Sequence, residues 1–188
     1  MTKGIICIET DWEVTKKNNR RHMDTESLVR FLHETHQVPY IFRCVATKRE
    51  LQYYLKQFSK EEYKKKYEIM YLSFHGNPYT IHLEGDNEDI SLDDLVELGG
   101  SVFQNRYVHF SSCKTMFRDE NVALQFKNDS KAKLVSGYSK SVNTVTSAIH
   151  DISLFDTIIR YSQRPAIIRR MNEVYGGLGK ELGFKIYG

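Results

Sequence analysis

The sequence predicts a three-layer α/β fold in which a mostly parallel six-stranded sheet carries helices on both faces. Short β-branched and aromatic runs alternate with longer amphipathic segments along the chain, a pattern typical of parallel strands joined by helices. The 188 residues suffice for one core, and no repeat or break in composition divides them. We therefore expect residues 1–188 to form a single domain.

The first half of the chain predicts two strands and two helices. Residues 4–8 (GIICI) form an uninterrupted apolar run, as expected of a buried strand. Residues 25–36 place Leu28, Phe31 and Leu32 on one helical face. Residues 40–45 predict a second strand, and residues 47–58 predict a helix that opens with a Thr47…Glu50 capping box.

The second half continues the alternation and adds a polar excursion. The excursion, residues 77–100, predicts a small β segment at 79–83 and a short helix at 91–98. The four remaining strands are predicted at 69–74, 107–111, 133–137 and 184–187. Further helices are predicted at 120–127, 144–161 and 166–175, with the glycines at 176, 177, 179 and 183 ending the last one.

Composition and charge argue against several classes of function. The 27 Lys and Arg against 24 Asp and Glu give a formal charge of only +3, too small and too evenly spread for nucleic-acid binding. The chain has no run of about 18 apolar residues and no secretory signal, so we expect no membrane association. Three cysteines without CxxC spacing argue against a disulfide framework or zinc site. We expect a cytoplasmic setting, with no metal and no cofactor.

Two of the predicted strands end in reactive residues. The third strand runs into His75 and Gly76, and the fourth runs into Ser112 and Cys113. Neighbouring parallel strands lie about 4.8 Å apart, and their carboxyl ends share one rim of the sheet. The separation of 38 positions between His75 and Cys113 fits one crossover connection. We therefore expect the imidazole and the thiol to meet at this rim.

A thiol beside an imidazole is a standard arrangement for nucleophilic catalysis. The imidazole takes the thiol proton and later returns it to the leaving amine. Gly76 has no Cβ, so its N–H can approach a developing oxyanion closely, and the Cys113 N–H is a second candidate donor. The alternative interpretation is that His75 and Cys113 are ordinary strand-end residues.

The motifs SFHG (residues 73–76) and SSC (residues 111–113), each at a strand end, resemble those of caspase-like (clan CD) cysteine peptidases. Within that group the chain is most similar to the CHAT-domain branch. The resemblance implies a caspase-like fold, with His75 as general base and acid and Cys113 as nucleophile. It also implies that the backbone N–H groups of Gly76 and Cys113 are the oxyanion donors.

The resemblance also implies a substrate pocket and partners. By position, its candidate pocket residues are Asp11, Trp12, Ser111 and Ser139. The Gln-Ala-Cys-Arg-Gly signature of animal caspases is absent, so cleavage after Asp is not expected, and Asp11 would favour a basic residue. Only residues 114–133 join the nucleophile strand to the next. This favours control by a regulatory protein or effector over activation by linker cleavage, and the resemblance implies a bacterial defence or regulatory system as the setting.

Two other functions remain open from the sequence. The first is a regulatory or binding module on the same fold, whose dyad is catalytically silent. The second is a flavodoxin-like or receiver-like domain, in which Glu9 and Asp11 would hold a metal or phosphoryl group and His75 and Cys113 would have no role. The peptidase interpretation expects a protein or peptide substrate.

Overall fold

The computed structural model describes residues 3–10 and 25–188, which form nine strands and seven helices. The strands are β1 (Gly4–Thr10), β2 (Tyr40–Val45), β3 (Tyr67–Ser73), β4 (His75–Asn77), β5 (Thr80–His82), β6 (Ile90–Ser91), β7 (Tyr107–Phe110), β8 (Leu134–Tyr138) and β9 (Phe184–Tyr187). The helices are α1 (Thr25–His36), α2 (Lys48–Phe58), α3 (Glu61–Lys66), α4 (Leu92–Gly99), α5 (Glu120–Ser130), α6 (Thr144–Arg160) and α7 (Arg164–Leu182).

The main sheet has six strands in the order β2-β1-β3-β7-β8-β9. All neighbouring pairs are parallel except β8–β9, which is antiparallel. One apolar cluster packs α2, α4 and α5 on one face, and a second packs α1, α6 and α7 on the other. The predicted three-layer α/β fold is therefore confirmed. Because both faces are covered, the interior strand β1 is buried throughout, and its residues 4–8 form a continuous apolar run.

The polar excursion folds into a second, three-stranded antiparallel sheet, β4-β5-β6, at the carboxyl end of β3. A single residue, Phe74, separates β3 from β4, so the hairpin begins at the rim where β3 ends. The excursion then enters α4 through a capping box formed by Ser91 and Asp94. A second capping box, between Thr47 and Glu50, opens α2 as the sequence predicted.

Two local expectations were wrong. The helix predicted at 166–175 continues to Leu182, and it is Gly183, with a left-handed φ of +66°, that ends it. A helical glycine costs only about 1 kcal/mol relative to alanine, and burial of Met171 and Leu182 offsets that cost. In α1 the buried positions are Thr25, Val29 and Leu32. Phe31 was expected on the buried face but is 52% exposed.

Within residues 3–10 and 25–188, no helix combines the length and the hydropathy needed to cross a membrane.

Candidate active site

The ends of β3 and β7 lie side by side, as the sequence predicted. The two strands pair in parallel, with Leu72 opposite Phe110 at the end of the register. The pairing extends one step further, because the Ser111 N–H donates to the Leu72 carbonyl at 2.8 Å. Strands β3 and β7 therefore end at the same rim of the sheet. The motifs that contain His75 and Cys113 follow directly after them.

The two motifs are in direct contact beyond the sheet. The Phe74 N–H donates to Ser112 Oγ at 3.3 Å. A Cβ placed on Gly76 would lie 2.1 Å from the Cys113 carbonyl oxygen and 2.8 Å from the Cys113 nitrogen. Only glycine allows this approach. The backbone next to His75 is thus packed against the backbone of Cys113.

Cys113 lies on a short loop that the β8–α6 connection holds in place. Its thiol is free and partly buried, and the Val142 N–H donates to Sγ at 3.4 Å. The following residue, Lys114, has a left-handed φ of +56°, and its N–H donates to the Lys140 carbonyl at 3.0 Å. A left-handed residue other than glycine costs about 1–2 kcal/mol. The fold tolerates this cost at Lys114, the residue directly after the candidate nucleophile.

His75 forms a contact with a carboxylate that sequence reasoning missed. Its Nε2 lies 3.3 Å from Oε2 of Glu84, just beyond the end of β5. The facing residue in the hairpin is His82, whose ring centroid is 6.2 Å from that of His75. His82 in turn pairs with Asp89 through Nδ1 at 3.0 Å. No sequence motif signals Glu84, because its approach to His75 depends on how the hairpin folds back.

Of the four predicted pocket residues, the structure describes Ser111 and Ser139. The Ser111 hydroxyl faces the interior, where it donates to Asp151 at 2.7 Å, so its side chain does not line the rim. The Ser139 hydroxyl donates to the Gly183 carbonyl at 2.8 Å and ties the end of β8 to the turn before β9. Asp11 and Trp12 lie outside the described residues.

A buried polar network lies directly beneath the nucleophile strand, centred on Asp151 of α6. Asp151 has no exposed surface. It contacts one side chain each from β3, β7 and β8, and a fourth from the residue directly after β7. They are Tyr71 at 2.8 Å, Ser111 at 2.7 Å, His109 Nε2 at 2.7 Å and Tyr138 at 2.5 Å. His109 is buried, and its ring nitrogens contact Asp151 and Ser136. Sequence reasoning did not identify Asp151.

The network keeps Asp151 charged despite its burial. Burial by itself raises the pKa of Asp151, but His109 and the hydrogen bonds outweigh it and hold the pKa below its ordinary value. Burial and the adjacent Asp151 charge raise the pKa values of Tyr71 and Tyr138 well above the ordinary value, so both phenols stay protonated as donors. The network therefore joins three strands to α6 below the rim through an ionised carboxylate and two protonated phenols.

Two histidines of α1, His33 and His36, are spaced as a metal site could require, but each has a different partner. His33 Nδ1 lies 2.8 Å from the Val38 carbonyl, and His36 Nε2 lies 2.9 Å from Asp156. Across the part of the chain that the structure describes, no three His, Cys, Asp or Glu side chains are grouped as a metal ion would require.

The comparisons with known proteins point to one family. A search among curated proteins found no match. A family model matches residues 2–188, nearly the whole chain, and its description is a family of unknown function, DUF6642. The chain therefore belongs to the family of unknown function DUF6642.

Proposed function

We propose that the protein is a cysteine endopeptidase in which Cys113 is the nucleophile and His75 the general base and acid. The observation that carries the proposal is the contact between the Gly76 and Cys113 backbones at the joined ends of β3 and β7. It brings the two reactive residue types to one rim of a parallel sheet, where ligands of open α/β sheets bind. The resemblance to caspase-like peptidases of the CHAT branch supports the same assignment.

In the acylation step the His75 imidazole accepts the proton of Cys113 Sγ, and the thiolate attacks the carbonyl carbon of a peptide bond. The Val142 N–H, 3.4 Å from Sγ, stabilises negative charge on the sulfur. The tetrahedral intermediate collapses as the carbon–nitrogen bond breaks. The departing amine takes the proton back from the imidazolium and leaves a thioester on Cys113.

In the deacylation step His75 accepts a proton from water, which attacks the thioester. The carbon–sulfur bond breaks, the carboxylic acid product leaves, and the proton returns to Cys113.

The backbone offers two donors for the oxyanion of both intermediates. Within the described residues the Cys113 N–H donates no hydrogen bond. The β4–β5 hairpin pairs Asn77 with Thr80 across a two-residue loop, and Gly76 pairs with Ile81 one step further. Because hydrogen-bonded and non-bonded pairs alternate in such a ladder, the Gly76 N–H is directed away from β5. Cys113 lies against Gly76, so both N–H groups serve one oxyanion.

The substrate and the control of the enzyme complete the proposal. The substrate is a protein or peptide, and Asp11 and Trp12 remain the predicted residues of its pocket. We propose a regulatory protein partner, because only residues 114–133 link the nucleophile strand to β8 and α5 occupies most of them. The three free cysteines are consistent with a cytoplasmic setting, which is part of the same proposal.

The test compares cleavage and thiol reactivity in matched variants. Cleavage is read by mass spectrometry on a proteome-derived peptide library, with Cys113→Ala, His75→Ala and, as a control, Cys44→Ala. We expect the first two to abolish cleavage with the urea-unfolding midpoint unchanged, and the control to cleave as wild type does. Iodoacetamide should label Cys113 before the partly buried Cys44 and the fully buried Cys7.

Two outcomes contradict the proposal. Cleavage that survives both Cys113→Ala and His75→Ala would remove the dyad from the chemistry. A wild-type protein that cleaves nothing and whose Cys113 is alkylated no faster than Cys44 would identify a silent binding module on the same fold.

A further inference from the structure

The segment that carries Glu84 is anchored to three different elements of the rim. The Glu84 N–H donates to Oγ1 of Thr10, the buried last residue of β1, at 3.1 Å. The next N–H, of Gly85, donates to the Ala46 carbonyl at 2.8 Å, just after β2. Asp86 then accepts from the Lys48 N–H in the first turn of α2 at 2.5 Å. Three consecutive residues are thus fixed to β1, β2 and α2.

This anchoring leaves little freedom for the backbone at Glu84. A Cβ on Gly85 would lie 2.8 Å from the Ala46 carbonyl oxygen, so the close approach to the β2 end requires glycine. On the other side, Leu83 is fully buried in the core. A carboxylate on so fixed a backbone is preorganised, and its contact with His75 does not rely on a mobile loop.

We propose that Glu84 is a positioning residue that orients the His75 imidazole and stabilises its protonated form. The inference rests on the proposed cysteine peptidase function. Glu84 Oε2 lies 3.3 Å from His75 Nε2; in the proposed role the carboxylate holds the Nε2–H, and Nδ1 is the nitrogen that takes the proton of Cys113 Sγ. When that proton arrives, the ring becomes an imidazolium and the adjacent carboxylate opposes its charge.

Other charged groups near His75 define the control. The His82 ring faces His75 across the hairpin at 6.2 Å, and His82 Nδ1 has its own carboxylate partner in Asp89, at 3.0 Å. Cys113 lies on the adjoining loop. Asp89 also accepts from Asn77 Nδ2 and Thr80 Oγ1, both at 2.9 Å, and an asparagine keeps an oxygen acceptor for them. Asp89→Asn therefore removes a histidine-bound carboxylate charge from the same small sheet without touching the one on His75, which makes it the control for Glu84→Gln and Glu84→Ala.

We expect kcat to fall roughly 10- to 100-fold in Glu84→Ala with little change in KM, since orientation and charge stabilisation act after binding. Glu84→Gln keeps an oxygen acceptor and should retain part of this activity. In both variants the pH profile of Cys113 alkylation should move from that of wild type towards that of His75→Ala, because the imidazole loses the carboxylate that orients it. Asp89→Asn should change neither quantity.

The rate at which iodoacetamide alkylates Cys113, followed against pH, reports thiolate formation without any substrate and separates the two proposals. If His75→Ala changes this profile and both Glu84 variants match wild type in kcat and profile, the role of Glu84 is refuted and the dyad stands. If His75→Ala itself leaves the profile unchanged, the dyad fails. An equal effect of Asp89→Asn and Glu84→Gln would also refute the inference, because it would show a general electrostatic effect of the small sheet.

Discussion

The contact between the His75 and Cys113 loops can be tested by adding one methyl group, in Gly76→Ala. The new Cβ would lie 2.1 Å from the Cys113 carbonyl oxygen, whereas real Cβ atoms essentially never come within 3.0 Å of another heavy atom. The two loops must therefore separate by about 1 Å, and a displacement of that size at a reacting centre costs on the order of 100-fold in rate. Overpacking of this kind also costs about 1–3 kcal/mol of the free energy of unfolding.

The assay measures kcat/KM, the rate of Cys113 alkylation by iodoacetamide, and urea unfolding for each variant. The control is Gly177→Ala in α7, where a Cβ would meet no heavy atom within 4 Å. This second change should raise the free energy of unfolding by about 0.5–1 kcal/mol, since alanine favours the helix, and leave the thiol unaffected. A Gly76→Ala protein with wild-type stability and wild-type alkylation of Cys113 would refute the packing of the two loops.

Two further predictions concern the buried polar groups beneath the site. Asp151→Asn should lower the free energy of unfolding by about 3–5 kcal/mol in urea titrations, because a buried charge network loses its centre. Asp156→Asn, at a partly exposed position of the same helix, should cost less than about 1 kcal/mol. Burial lowers the pKa of His150 from its ordinary 6.5 to about 4, so the unfolded chain binds the proton first and stability falls as the pH drops from about 6.5 towards 4. Between about pH 7 and 4.5 this loss should reach about 2–3 kcal/mol in wild type and be absent in His150→Gln; equal losses in both proteins would contradict the assignment.

The sheet was predictable because each strand carries its own local signal. An uninterrupted apolar run marks β1, and the order of strands and helices alone implies parallel neighbours. The two strands that lead into His75 and Cys113 could therefore be assigned to one rim from the sequence alone. The capping box of Thr47 and Glu50 is equally local, which is why the start of α2 was correctly placed.

The partners of the dyad were not predictable, because their positions depend on contacts between distant parts of the chain. Glu84 reaches His75 only because Thr10 and Ala46, far away in sequence, fix its backbone. Asp151 lies on α6, 42 residues from the side chain of His109 that it binds. An acidic residue in a helix otherwise reads as a solvent-exposed position, and nothing local distinguishes Asp151 from Asp156.

The buried network favours an active site over an incidental meeting of two residues. Replacing a buried ionic cluster with well-packed apolar residues is often neutral or stabilising by about 1–4 kcal/mol, so stability alone does not explain why the core of this domain keeps Asp151 charged. The network instead fixes the hydroxyl of Ser111, two residues before the proposed nucleophile Cys113, to the strands on either side through Tyr71 and Tyr138. Such a support is what a nucleophile requires if it must be held within a fraction of an ångström of its base. If Asp151→Asn left the alkylation rate of Cys113 unchanged while lowering stability, the network would serve the fold alone and this link to the site would be broken.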